Sequence, residues 1–324
     1  PALTEERKNR ILGEARFIRG LTYFNLTRLF GKVPIIERAT KSPNQDLLVR
    51  RNEVAEVYTQ VLNDLLEAEK LLPATRPNKY FPAKGSARAL LARVYMTRNS
   101  QGDLASALAE CEEVMADAQY SLVPGDKYGD IFASGRQNTS ESIFEISYRP
   151  NTQQEAQSNF DGEMVPAQGN SFRVRPTTNI INAFTERDLR KNGALGTFNN
   201  TPYVKKHEAG PPTVVNNRRL LDPNIVVLRL ADVILMRAEC LNELGRTNDA
   251  IPFLNQIRTR AGLDPTAAAT QADVRLAIEA ERFLELCFEG SRWYDLVRTN
   301  RVEAFIPNFT NKDRAIWPVP AREL

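Results

Sequence analysis

Glu281, Glu285 and Glu289 stand four residues apart in the stretch AIEAERFLELCFEGSRWYDLVRTNR, residues 277–301. That spacing stacks three carboxylates along one side of a helix. Paired carboxylates can do acid/base work, or they can meet arginines from a neighbouring helix, such as Arg258 or Arg260 in IRTRAGL. No Ser, His or Cys arrangement stands beside the stack, so structural ion pairing is the expected role. His207 is the sole histidine, which argues against a His-based triad and a zinc centre. Cys111, Cys240 and Cys287 each fall inside an apolar helical pattern. Their odd number and unpaired spacing argue against a disulfide framework or metal cluster, and for buried small hydrophobes. KYGDIF, around Asp126 and Asp130, is too short and too broken by glycine for an EF-hand loop and reads as a turn. No catalytic residue, metal or cofactor is nominated.

The elements around these residues are mostly helical. Ile11, Ala15, Ile18, Leu21, Phe24, Leu26 and Leu29 predict a helix over 7–30 that stops at Gly31 and Pro34. Residues 40–51 read as a loop, and a second helix is expected from about Asn52 to Leu72, stopped by Pro73. NKYFP, 78–82, is a short aromatic loop that either lids the helix ends or, through Tyr80, joins a surface site. Residues 83–118 read as a helical hairpin turned at NSQGD, with Ser86, Ala87, Ala89 and Ala92 allowing close approach of the arms. Residues 226–263 repeat the design: LLARVYM at 90–96 corresponds to ILMRAEC at 234–240. The unit length of about 34 residues is the tetratricopeptide period, and such units stack to share apolar faces. Between the two copies lies a stretch rich in Asn, Gln, Thr, Ser, Gly and Pro, with a strand expected at 142–148 and a short helix at 177–188. Gly290 predicts a break before a last helix from Ser291.

Lys and Arg number 43 against 40 Asp and Glu, interleaved, so charge gives no nucleic-acid footprint. No stretch approaches the ~20 apolar residues of a membrane helix. The sequence carries no signal or lipidation motif; it begins at Pro1, not a natural initiator, and residues 10–30 already sit inside a helical pattern, so it reads as a fragment lacking an N-terminal part.

Two blocks carry a family resemblance. ERFLELCFEGSRWYDL places Glu281, Arg282, Glu285, Leu286, Phe288, Glu289, Gly290, Arg292, Asp295 and Leu296 on a Glu-Arg-x-x-Glu-Leu-x-Phe-Glu-Gly-x-Arg-x-x-Asp-Leu pattern. EARFIRGLTYFNLTRLFGKVP places Glu14, Ala15, Arg16, Phe17, Arg19, Tyr23, Phe24, Leu29, Phe30, Gly31, Val33 and Pro34 on a second, with Gly20 where an Ala is usual. Both patterns resemble the SusD/RagB family of nutrient-binding lipoproteins. ESIFEISY, TTNIINAFTERDLR, LNQIRTRAGL and the tail around Pro318, Val319, Pro320 and Glu323 follow the family's order.

The resemblance implies a mainly α fold, in which tetratricopeptide-like helical hairpins form a right-handed scaffold with a large irregular insertion. The expected organisation is one compact domain: 1–119 holding the first two repeat units, 120–224 a ligand-binding insertion, and 225–324 the last two units. It also implies a non-enzymatic glycan-binding protein of the outer membrane, facing the exterior and anchored through a lipidated N-terminus absent from this chain. Its partners would be an oligosaccharide or polysaccharide and a SusC-like TonB-dependent transporter. A peptide-binding member of the family, a tetratricopeptide-type adaptor and a glycosidase are the alternatives; for the last, no carboxylate pair can be nominated.

Sugars are held by aromatic faces together with amides, carboxylates and Arg. On that composition the candidate ligand-binding residues are Tyr148, Asn159, Phe160, Asp161, Gln168, Phe172 and Arg173. Phe160 and Phe172 could equally anchor the loop to the repeats. Arg173, Arg175, Arg187, Arg190, Lys191, Lys205, Lys206, Arg218 and Arg219 make the insertion cationic, which suits an anionic glycan or is ordinary solvated charge.

Overall fold

The computed structural model describes residues 3–39, 41–42, 49–133, 135–147, 164–166, 173–208, 213–215, 218–220 and 224–320. Helix α1 (Glu5–Phe30) starts where the Thr4 side chain accepts a hydrogen bond from Arg7 N, and ends at Gly31 in a positive-φ conformation. It pairs with α2 (Val54–Leu71), whose start is fixed by the Glu56 carboxylate accepting from Glu53 N at 2.9 Å. The α3 (Lys84–Arg98) and α4 (Asp103–Met115) hairpin turns at Asn99, in the left-handed region, and at Gly102. The second hairpin, α7 (Leu230–Glu243) and α8 (Thr247–Arg260), turns at Gly245. The stack continues through α9 (Gln271–Glu285), followed by the short helices α10 (Arg292–Arg298) and α11 (Val302–Phe305).

Packing runs α1 on α2, α2 on α3, α4 directly on α7, and α7 and α8 on α9. The long insertion therefore leaves the repeat stack unbroken. The seams are apolar: Leu65, Leu90, Leu91, Val94, Ile234, Leu235, Leu254 and Ile257 are fully buried beside the small residues Ala87, Ala89, Ala92, Ala231, Ala238 and Ala250. Each such Leu or Ile contributes roughly 1.5–3 kcal/mol by leaving water. The three cysteines are buried and unbridged, as expected.

The patterned residues of the first helix join neighbouring elements. Arg16 and Arg19 both reach the buried Asp64 of α2, Arg19 through two hydrogen bonds of 2.6 Å. Phe17 packs edge-on against Phe144, 4.8 Å between ring centres. Gly20 lets α2 come close: a Cβ there would lie 2.8 Å from Leu65 Cδ2, which explains the departure from Ala.

The insertion leaves on β1 (Ser142–Ile146) and returns on β6 (Ile225–Arg229), which pair antiparallel with Ile146 opposite Ile225. A ribbon thus closes the neck, and both exits lie side by side. Beyond the neck are α5 (Thr178–Ala183), α6 (Lys191–Ala194), the hairpin β2 (Leu195–Phe198) to β3 (Thr201–Val204), and the pair β4 (Thr213–Val215) and β5 (Arg218–Leu220). Asn199 and Asn200 both take positive φ, the conformation that a two-residue hairpin turn requires.

Three expectations are adjusted. The 177–188 helix is confined to Thr178–Ala183. Helix α9 ends at Glu285, before the expected break, because Phe288 is already left-handed at φ 64°; Gly290 follows at φ 77°. The last repeat has no full-length second arm, since α10 is two turns long.

Candidate functional site

The site is built from the insertion's two attachments to the scaffold. The first is the carboxylate stack at the end of α9. Glu281 meets Arg258 at 3.1 Å and Glu285 meets Arg260, as the spacing predicted. Three further cations arrive from outside the helical units. Arg190 donates to Asp188, to Glu281 at 2.6 Å and to Glu285 at 2.9 Å. Arg229 uses all five of its N–H donors, on Glu141, on the Glu285 carboxylate and carbonyl, and twice on Glu289. Lys206 Nζ places its three donors on Glu285 O, Cys287 O and Glu289 Oε1.

These three cations are among the largest fully buried side chains of the protein. They gather where α9 presents its last carbonyls, the end at which a helix favours positive charge. Tyr128 completes the seat, its hydroxyl donating to Glu285 O at 2.8 Å from within a 3₁₀ turn (Gly125–Ile131) that covers the KYGDIF segment. Burial alone would raise the Glu285 pKa, yet Arg260, Arg229, Arg190 and Lys206 hold it well below the usual carboxylate range. The stack is an ion-paired joint that fastens the insertion to the repeats, each of its three carboxylates engaged by Arg or Lys donors.

Arg190 and Lys206 are therefore neither solvated charge nor part of a ligand field, contrary to both readings of the cationic insertion. Arg173, Arg175, Arg187 and Lys205 are exposed. Arg187 pairs with Asp264 at 3.1 Å.

The second attachment is the neck. Glu145, buried on β1, accepts from Asn138 N at 3.0 Å and from Asn224 Nδ2 at 2.5 Å, and its own N–H donates to Lys79 O. It ties the NKYFP loop to both sides of the neck. Tyr80 and Phe81 consequently stand where the insertion leaves and returns, their ring centres 5.3 Å apart and tilted by 48°. Phe81 is 41% exposed and carries the Arg76 guanidinium over its face at 4.6 Å. Asn78 Nδ2 donates to the Tyr80 hydroxyl at 2.7 Å. An aromatic pair with Asn78 on the Tyr80 hydroxyl, next to the neck amides Asn138 and Asn224 that Lys79 and Glu145 hold, is a surface suited to stacking and hydroxyl recognition.

Of the nominated ligand residues, Arg173 is described and exposed. Tyr148, Asn159, Phe160, Asp161, Gln168 and Phe172 lie outside the described residues. Met164 and Val165 are described and buried, packing with Tyr203, Val204 and Phe288, so this part of the insertion rests on β3 and the α9–α10 turn. Sequence reasoning raised Tyr80 but not Phe81 or the amides around it. The Asn-Lys-Tyr-Phe-Pro composition was the one available signal, because Asn138 and Asn224 join it through contacts distant in sequence.

Residues 190–316 match the family model described as "SusD family", and residues 1–96 one described as "Starch-binding associating with outer membrane". A SusD-like protein of Formosa agariphila is 30% identical over 97% of this chain and 71% of its own length. Another from the same organism is 27% identical over 99% and 72%. A solved SusD superfamily protein from Bacteroides vulgatus superimposes with a TM-score of 0.84 at 24% identity, covering 99% of this chain and 77% of that one. A solved "Laminarin binding SusD-like protein" has a TM-score of 0.84 at 25% identity, covering 99% and 78%. The chain belongs to the SusD family.

Proposed function

We propose that this protein binds an oligosaccharide or polysaccharide on the face made by residues 120–224 and the Tyr80–Phe81 pair at their neck. The likeness to a laminarin-binding protein over 99% of the chain carries the reading. In this reading residues 1–119 and 225–324 form the scaffold, and Tyr148, Asn159, Phe160, Asp161, Gln168, Phe172 and Arg173 supply ligand contacts. Binding is reversible and breaks no bond; the carboxylates of the α9 stack are all engaged in buried ion pairs, which supports a non-catalytic role. The protein acts at the exterior face of the outer membrane as a lipoprotein and passes its glycan to a SusC-like TonB-dependent transporter.

A glycan array containing laminarin, starch and acidic oligosaccharides tests this, with Phe160→Ala, Phe172→Ala and Phe81→Ala alongside. Each aromatic that stacks on sugar should weaken binding roughly 5- to 10-fold when truncated, as expected for an aromatic pair worth about 1 kcal/mol. Folded protein that binds no glycan would refute the reading, and binding unchanged in all three variants would remove the site from this face.

A further inference from the structure

A cavity lies where the helical scaffold meets the returning strand of the neck, β6. It has a volume of about 370 Å³ and is lined by α1, α3, β6, α7 and the α9–α10 segment. Five arginines reach it: Arg28, Arg93, Arg229, Arg282 and Arg298. Three acids line it, and each is already held. Asp232 lies between Arg93 at 2.6 Å and Arg282 at 2.8 Å. Asp295 lies between Arg282 and Arg298, and Glu289 between Arg229 and Lys206.

Arg28 differs from the others. Its guanidinium is sandwiched between Phe24 at 4.0 Å and Tyr294 at 3.8 Å from the ring centres. Among the described residues its hydrogen bond goes to the neutral Asn25, its Nε is buried without a partner, and no carboxylate lies within ion-pair reach of it. Burial and the nearby Arg93 push its pKa down to about 10. Aromatic faces offset part of the cost of such a burial. They supply no counter-charge, and a planar guanidinium with free N–H groups is a fork shaped for an oxyanion.

We propose that this cavity is an anion site, in which the carboxylate or sulfate group of a small acid enters between Arg28 and Arg93 beside the Tyr294 ring. The volume admits a group as large as a single acidic sugar. The repulsion between Arg28 and Arg93 is then relieved, and binding stabilises the packing of α1 and α10 around the cavity.

Thermal unfolding of the purified chain in sodium glucuronate or sodium sulfate, against glucose and against sodium chloride at equal ionic strength, tests this. A saturable rise in Tm of about 2–4 °C is expected for the two anions and not for glucose or chloride. Arg28→Met, which keeps the stem between the rings, should abolish the saturable rise. A rise equal in wild type and Arg28→Met, or one that grows without saturating as salt exclusion does, overturns the proposal. Should Arg28→Met not fold, calorimetric titration of the wild type decides. Saturable one-to-one heat with glucuronate and none with glucose supports the site; no heat at millimolar concentrations refutes it.

Discussion

The protein is held together by two unlike interfaces. Between hairpins, from α2–α3 to α4–α7, the contact is apolar and made of Leu, Ile and Ala at helical spacing. Between the insertion and the scaffold small apolar clusters flank an ionic seat: Arg190, Lys206 and Arg229 against Glu281, Glu285 and Glu289. An apolar seam tolerates sliding and substitution of similar volume. A buried ionic seat depends on a particular arrangement of donors and acceptors, and it is costly to break from one side. The stack therefore supplies bulk stability, while the seat fixes where the irregular lobe sits.

Removing one side of the seat should have the largest effect. Glu285→Ala strips a shared anion from Arg190, Arg229 and Arg260 and should cost about 3–5 kcal/mol. Leu90→Ala in the apolar seam should cost a comparable ~2–5 kcal/mol. The two should differ in kind. Limited proteolysis of Glu285→Ala is expected to cut within 147–224 at denaturant concentrations where the helical signal is intact. Leu90→Ala should lose helix and resistance together. A single coincident transition in both variants would show that seat and stack are one cooperative unit.

A smaller effect tests how closely the insertion's flank is pressed onto the repeats. A Cβ at Gly125 would lie 1.9 Å from the carbonyl oxygen of Arg260, at the end of α8. Gly125→Ala should therefore destabilise by about 1–3 kcal/mol in urea melts. Gly129→Ala, where the nearest atom is 3.6 Å away, should stay within roughly 0.5 kcal/mol.

The smallest effect concerns a carboxylate in the scaffold that lacks the seat's cations. Burial and the neighbouring Glu69 push the Glu110 pKa from 4.5 up to about 7. The folded chain then holds this proton more tightly than the unfolded chain. Its stabilisation is complete below the unfolded value and is lost as pH rises through the folded one. Glu110→Gln should raise stability by about 1 kcal/mol at pH 8, after allowance for partial exposure, and change little at pH 4. An equal gain at both pH values would mean that ionisation is not the cause.

Much of the scaffold was legible in the residues. Periodicity marked α1, α2, both hairpins and their repetition, and Gly31 and the NSQGD turn marked where helices end. The carboxylate stack was legible as a stack, and two of its partners, Arg258 and Arg260, were near enough in sequence to name. Arg190, Lys206 and Arg229 were not, because a buried arginine and a solvated one look alike until the chain is folded. The same limit hid Phe81, and hid Asn138 and Asn224, which the buried Glu145 carboxylate joins at the neck.

The sequence by itself determined the repeat period, the apolar faces and the family pattern, all of which are local or periodic properties of the chain. The tertiary structure decided which charges are buried, how the insertion's two ends meet at one ribbon, and that Arg28 faces a cavity with no carboxylate of the described residues in ion-pair reach. Those depend on pairings between residues far apart in the chain, and burial, the term that sets their energy, has no local signature.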